Sequence, residues 1–222
     1  MSADKNPQLA SPAVYRTARP GLRTRAASAV AARSRASRVR LYRELIRPRR
    51  DETVLDVGCG ELGLAAFEPP EQITGTDIDD YPAYPGARLV QADATDLPFA
   101  DGEFDVAYSN SLIEHLEPAL RPRFAAELRR TAGRYFVQTP NHFFPIEPHS
   151  LVPGLQFLPP RARRRAWRLG VAEGFEDIRL LRAAELQRLF PDAVIVRERI
   201  GPLTKSLVAA GPADRVGPLR SS

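Results

Sequence analysis

The sequence predicts an α/β domain built on a mostly parallel sheet with helices on both faces. Two observations carry this. Short apolar runs alternate with helical stretches from residue 53 to residue 139, and the first run leads straight into the turn Gly58-Cys59-Gly60-Glu61-Leu62-Gly63. Parallel strands need long crossover connections, so regular alternation of the two periods favours this architecture. The 222 residues, 43% of them hydrophobic, suffice for one domain and a short extension.

The elements follow in chain order. Residues 1–25 contain Pro7, Pro12 and Pro20 with little periodicity and are expected to be a flexible basic segment. An arm over 26–50 has helical character: Val39, Tyr42 and Ile46 fall on one face beside Leu45, and Pro48 stops the helix. It is expected to pack against one edge of the sheet. Five β runs come next, Thr53–Val57, Ile73–Asp77, Arg88–Val90, Phe104–Tyr108 and Arg134–Thr139. Between the last two, Leu116, Leu120, Phe124 and Leu128 recur every four residues, with Pro122 suited to a first turn and Gly133 to a helix end. Glu114 and His115 are expected to begin that helix.

Residues 140–175 break the rhythm with six prolines, aromatics and the run RARRRAWR at 161–168, and are read as an insertion. That run is expected to be a wet helix face with Trp167 turned inward. A short helix at Leu186, Leu189 and Phe190 ends at Pro191, and Ala193–Arg197 and Leu203–Ala209 are two closing strands. The domain is expected to span 51–211, with a loose tail at 212–222.

Composition excludes several classes. No window approaches eighteen consecutive apolar residues, so no membrane-spanning helix is expected. No apolar stretch near Met1 suggests a secretory signal. The single cysteine, Cys59, excludes an intramolecular disulfide and a multi-cysteine zinc site, and a cytoplasmic location is expected. Residues 1–50 hold thirteen basic side chains against Asp4 and Glu44, so an arm of charge +11 precedes a body of charge −6. Such an arm can attract phosphate, a membrane surface or the body itself, and nucleic acid can bind through it. Its Ala/Ser-rich composition also has the look of a transit peptide, but arginine dominates the whole chain.

The glycines of the turn allow a tight reversal and close approach of a ligand to backbone, next to unpaired N–H groups. In a doubly wound sheet a nucleotide-like ligand lies at this place, beyond the carboxyl ends of the strands. A dinucleotide would satisfy the glycines, and Asp77, nineteen residues beyond Gly58, suits a ribose in either case. Asp56 distinguishes the readings: a carboxylate inside the turn disfavours a pyrophosphate and favours a cationic ligand. Asp93, after the third strand, can accept from an adenine amino group. Three carboxylates around one pocket point to S-adenosylmethionine, a sulfonium.

These residues resemble the class I S-adenosylmethionine-dependent methyltransferases. VLDVGCGELG (54–63) is similar to that family's glycine-rich motif, TGTDID (74–79) to its acidic motif and QADATDLPF (91–99) to its adenine motif. FDVAYSNSLIEHL (104–116) is similar to its fourth strand and the segment beyond. The resemblance implies a Rossmann-like, doubly wound sheet of seven strands, mostly parallel with an antiparallel last strand. It implies that Gly58, Cys59 and Gly60 pass along the cofactor, with Cys59 a small filler and Asp56 supporting the methionine end. Asp77 would hold the ribose hydroxyls, Ile78 the adenine face, Asp93 and Ala94 the adenine edge, and Asn110 the methionine end. Glu68, Pro69 and Pro70 leave room for only a brief first helix.

The acceptor is expected in QTPNHFFPIEPH (138–149), beyond the fifth strand, where Asn141, His142, Glu147 and His149 lie among aromatics. Apolar walls with a few polar groups suit a small molecule, methylated at oxygen, nitrogen or activated carbon, with His142 or His149 as base. No metal site is expected; His142, Glu147 and His149 lack HExxH spacing. Ser109-Asn110-Ser111-Leu112 departs from the Asn/Asp-Pro-Pro-aromatic pattern of amino-group methylation on bases. An RNA-directed methyltransferase using the arm, a non-catalytic cofactor binder and an NAD reductase are the other readings.

Overall fold

The structure is a computed structural model that describes residues 36–61, 63–81, 84, 86–170 and 174–218. Seven strands form one sheet: β1 (Val54–Val57), β2 (Ile73–Asp77), β3 (Arg88–Gln91), β4 (Phe104–Asn110), β5 (Ala132–Pro140), β6 (Val194–Ile200) and β7 (Leu203–Gly211). Their order is β3-β2-β1-β4-β5-β7-β6. The pairings from β3 through β5 are parallel, while β7 runs antiparallel to both β5 and β6. This is the predicted Rossmann-like class. The chain winds outward from β1 in one direction through β2 and β3, then in the other through β4 and β5. The crevice of such a sheet opens at the carboxyl ends, where the direction switches.

Side-chain alternation along the strands builds two cores. On one face Leu55, Val57, Ala107, Tyr135, Val137 and Ala209 meet Phe124, Ala125 and Leu128 of helix α2 (Arg121–Thr131) and Leu186 of helix α4 (Ala183–Leu189). On the other, Val54, Val106, Tyr108, Phe136, Val208 and Ala210 meet Val39, Tyr42, Leu45 and Ile46 of α1, described over 36–46. Tyr42 sets its ring edge-on to Tyr108 and Phe136 at 5.3 and 5.7 Å. The arm helix therefore covers the middle of a sheet face and not an edge. The cause is the β1–β2 connection, which among its described residues contains only the single 3₁₀ turns Leu64–Ala66 and Pro70–Gln72. No crossover helix is there to cover that face, so α1 does. Residues 1–35, with the rest of the expected arm, lie outside the described residues.

Helix α2 starts at Arg121 with Pro122 in its first turn, as predicted. Glu114, His115 and Leu116 do not open it; they lie in turns before it. Pro118 disfavours helical geometry at Glu117 and delays the start. Nor does Gly133 end the helix. Ala132 is already extended (φ −138°, ψ 147°) and pairs with Phe104, so strand pairing begins directly after Thr131.

The insertion contains helix α3 (Pro160–Ala166) and a satellite core of Leu155, Trp167, Ile178 and Leu180. Trp167 is buried while Arg161, Arg164, Arg165 and Arg168 are exposed, as predicted. Beyond β7, residues 212–218 are docked: Ala213 N–H donates to Asp192 O at 2.8 Å and Gly217 N–H to Leu45 O at 2.7 Å. Val216 packs on the α1 core. The expected loose tail is therefore anchored through 218, and 219–222 lie outside the described residues. No described helix is long and apolar enough to cross a membrane.

These burials fix an expectation. Phe124, 0% exposed, lies at the centre of its core, whereas Leu169 is 76% exposed. Urea denaturation should show Phe124→Ala losing about 3–5 kcal/mol and Leu169→Ala changing stability by less than about 0.5 kcal/mol.

Candidate functional site

Strand β1 delivers its chain into a turn held on the end of β2. Gly58 N–H and Cys59 N–H both donate to Thr76 O, at 2.8 and 3.2 Å. Gly58 and Gly60 have φ of 72° and 58°, the left-handed region that glycine adopts without strain. A Cβ on Gly58 would lie 2.7 Å from Leu112, whereas one on Gly60 would meet nothing within 4 Å. The turn is thus packed on one side and open above Gly60.

Asp56 lies beneath this turn, not in the open. Its Oδ2 accepts from Leu64 N–H at 2.6 Å and from the Tyr84 hydroxyl at 2.8 Å. Burial pushes its pKa up to about 6, against the stabilising pull of those two donors. A side chain on Gly63 would lie 2.3 Å from the same oxygen, which is why glycine stands there. Asp56 therefore shapes the loop through its donors. Cys59 is buried, and burial pushes its thiol pKa up, so it is a filler and not a nucleophile.

The remaining acids stand in series along the sheet's carboxyl edge. Asp77, the last residue of β2, accepts from Gly60 N–H through Oδ2 at 3.0 Å and from Asp79 N–H through Oδ1 at 3.2 Å. It links the glycine turn to the next loop. Ile78 is half-buried, and its carbonyl accepts from Gln91 Nε2 at 2.7 Å. Asp93 follows β3, and its Oδ1 accepts from Thr95 N–H and Oγ1 at 2.8 and 2.9 Å. Ala94, half-buried, packs against the α2 core. Asn110 closes β4, and its Oδ1 accepts from Arg38 Nη1 of α1 at 3.2 Å.

The residues expected on the acceptor side separate into two environments. His142 is half-buried, with its ring edge-on to Phe143 and Phe157 at 5.2 and 5.5 Å. Burial, and then the charge of Arg182, hold its pKa below the ordinary value, so it is neutral at neutral pH. His149 is buried elsewhere, with Nδ1 2.8 Å from Glu147 Oε1. Asn141 is consumed by the fold, its amide donating to Thr204 O at 2.9 Å.

Sequence reasoning missed two participants. Tyr84 is 28 positions from the acid it serves, and Arg38 is 72 positions from Asn110; no local spacing reveals either. Glu114 and His115 were legible only as an adjacent pair expected to begin a helix, with a structural or a catalytic role left open.

The Asp56 geometry generates a pH expectation. A carboxyl whose folded pKa is about 6, above its ordinary 3.8, favours the folded state most below pH 4. Its contribution falls as pH rises to 6 and is constant beyond. Asp56→Asn keeps an oxygen to accept from Leu64 and Tyr84 and removes this loss. Thermal unfolding should show the variant more stable than the parent at pH 7–8, by about 1–3 kcal/mol, with the gap closing towards pH 4.

Known proteins match this chain in sequence and in fold. A family described as a methyltransferase domain matches residues 55–133. A probable S-adenosylmethionine-dependent methyltransferase of Mycobacterium tuberculosis is 34% identical over 98 residues, which cover 40% of this chain and 35% of that protein. A putative methyltransferase of Encephalitozoon cuniculi is 37% identical over 87 residues, covering 36% of this chain and 40% of the other. The chain thus spans well under half the length of these relatives. Among solved structures, magnesium protoporphyrin IX methyltransferase of Synechocystis superposes with a TM-score of 0.58 at 12% identity, covering 89% and 90% of the two chains. Geranyl diphosphate C-methyltransferase of Streptomyces coelicolor gives 0.55 at 13%, covering 89% and 86%. The structural likeness lies in the fold, and the sequence match lies on the strands and loops that build the cleft. Over residues 55–133 the chain matches the methyltransferase-domain family, and it shares its fold with solved methyltransferases.

Proposed function

We propose that this chain is an S-adenosylmethionine-dependent methyltransferase acting on an oxygen, nitrogen or activated carbon of a small-molecule acceptor. The observation that carries the reading is the ordered set at the sheet's carboxyl edge: an open positive-φ glycine turn, then Asp77, then Asp93. Those residues fit the cofactor. Space above Gly60 admits a ligand against backbone, and Asp77 is held at the end of β2 by two N–H donors.

In this reading Gly58, Cys59 and Gly60 present backbone to the cofactor, and Asp77 holds the ribose hydroxyls. Ile78 packs on the adenine, and Asp93 and Ala94 read its edge. Asn110, oriented by Arg38, lines the methionine end. Asp56 acts at one remove, by fixing the loop through Leu64 and Tyr84. When bound, the cofactor supplies an electrophilic methyl group on a cationic sulfur. The protein's task is then alignment of the acceptor, worth on the order of 7–11 kcal/mol. His142, neutral and walled by Phe143 and Phe157, takes the proton of a hydroxyl or amine acceptor at a ring nitrogen.

The printed names of two structural neighbours support a small acceptor. One acts on magnesium protoporphyrin IX and has S-adenosylhomocysteine bound; the other is complexed with geranyl diphosphate and S-adenosylhomocysteine. The buried Cys59 suits the reducing cytoplasm that this reading assumes.

Two measurements test the proposal. Equilibrium dialysis should show Asp77→Ala binding S-adenosylhomocysteine at least about tenfold more weakly than the parent, since a charged acceptor contributes ~1.5–3 kcal/mol per hydrogen bond. Unchanged affinity in a folded variant rejects the ribose assignment. In a methyl-transfer assay over a panel of small hydroxyl and amine acceptors, His142→Ala should lower turnover of the accepted compound by ~10²–10⁴-fold. Unchanged turnover rejects His142 as the proton acceptor.

A further inference from the structure

We propose that Glu114, His115 and His149 form a binding site for one divalent transition-metal ion of the Zn²⁺ class. It lies at the carboxyl ends of β4 and β5. One ligand atom from each of the three residues falls within 4.8 Å of the others. Glu114 is 0% exposed. Its Oε2 accepts from the Thr139 hydroxyl at 2.9 Å, while its buried Oε1 has no hydrogen-bond partner among the described residues. That unpartnered oxygen lies 4.0 Å from His115 Nε2 and 3.9 Å from His149 Nε2.

The roles of the other ring nitrogens make this a ligand set. His115 Nδ1 lies 2.6 Å from Glu176 Oε1, and His149 Nδ1 lies 2.8 Å from Glu147 Oε1. A carboxylate at Nδ1 fixes the proton there and leaves the Nε2 lone pair facing outward, the arrangement by which carboxylates orient metal-binding histidines. Two lone pairs and an unpaired carboxylate oxygen then converge in a buried space. With both rings neutral, three acceptors face one another, and either a proton on one ring or a metal ion between them relieves the repulsion. A direct hydrogen bond does not resolve this, because 3.9–4.0 Å is too long for one. Around a tetrahedral ion with bonds of ~2.0–2.2 Å, ligand atoms are ~3.3–3.6 Å apart, so small side-chain rotations close the triangle.

Two imidazoles and one carboxylate select a borderline-soft ion such as Zn²⁺ over Mg²⁺. The supporting frame is stiff. Glu147 also accepts from His149 N–H and from the Ser150 N–H and hydroxyl, and the Glu114 carbonyl accepts from Arg179 N–H at 3.1 Å. The ion would join the turn after β4, the insertion and the segment before α4. Leu112, in the same turn, abuts Gly58 of the cofactor loop. Three protein ligands leave a further position for water or an acceptor atom. His142 is not in the group.

The test uses the full chain, stripped of metal by chelation and titrated with Zn²⁺ alone, so it does not depend on cofactor binding or methyl transfer. The expected result is one saturable Zn²⁺ per chain and an X-ray absorption spectrum with imidazole and oxygen ligands and no sulfur. His115→Ala and His149→Ala should each lose this binding. Glu176→Gln, which alters a positioning residue on a partly exposed side chain, should weaken it ~10–100-fold with the fold intact. Absence of saturable binding, sulfur in the shell, affinity unchanged in Glu176→Gln, or equal affinity for Mg²⁺ would each overturn the proposal. The spectrum of the unaltered protein decides even if the ligand variants fail to fold.

Discussion

One buried carboxylate organises the glycine turn of this molecule and the loops around it. Asp56 lies inside the first strand, yet its charge is met by a backbone N–H from Leu64 and a hydroxyl from Tyr84, each from a different loop. The chain must leave β1, reverse through glycines and return within reach of the same oxygen. That requirement sets the positive φ at Gly58, Gly60 and Gly63, excludes a side chain at Gly63 and brings Tyr84 under Gly75. It also shortens the β1–β2 connection to two 3₁₀ turns. The bare sheet face that results is covered by α1, and α1 in turn carries Arg38 to Asn110.

The central strands were legible because burial on both faces imprints them on the sequence as apolar runs, while the edge strands β3 and β6, half-buried or exposed over most of their length, were legible from their place in the alternation. All seven predicted runs are strands, most displaced by a residue or two at an end. The glycine turn and the acids after β2 and β3 were legible for a different reason: they depend on local spacing, which a sequence preserves. What failed depended on competition between distant segments. Gly133 had the chemistry of a helix stop, but pairing of Ala132 with Phe104 ended α2 earlier. The arm's apolar stripe was visible, but its seat on the sheet was decided by the helix missing between β1 and β2. Residues 212–218 looked loose by composition and are anchored by Asp192 and Leu45, which lie far from them in sequence.

The segment 138–149, where the acceptor was expected, shows the same division. His142 and His149 were both visible as candidates, but only the fold separates them. The isolated Asn141↔Leu181 bridge and the bond from His142 N–H to Leu181 O hold the first among aromatics. The second is drawn into a buried polar group with Glu114, Glu147 and His115. Buried polar networks of this kind are stable only when each member has a partner, and Glu114 Oε1 is the atom that lacks one. The two histidines thus have distinct surroundings: one faces a half-buried apolar wall, the other lies in a buried polar group.

The central claim is that the acidic, glycine-lined edge of this sheet receives a cationic adenosine ligand and not a dinucleotide. Calorimetric titration of the full chain with S-adenosylmethionine and, separately, with NAD tests it most directly. The account predicts saturable one-to-one binding of the sulfonium compound and no measurable heat with the dinucleotide. Tight dinucleotide binding with none of the sulfonium compound would contradict it.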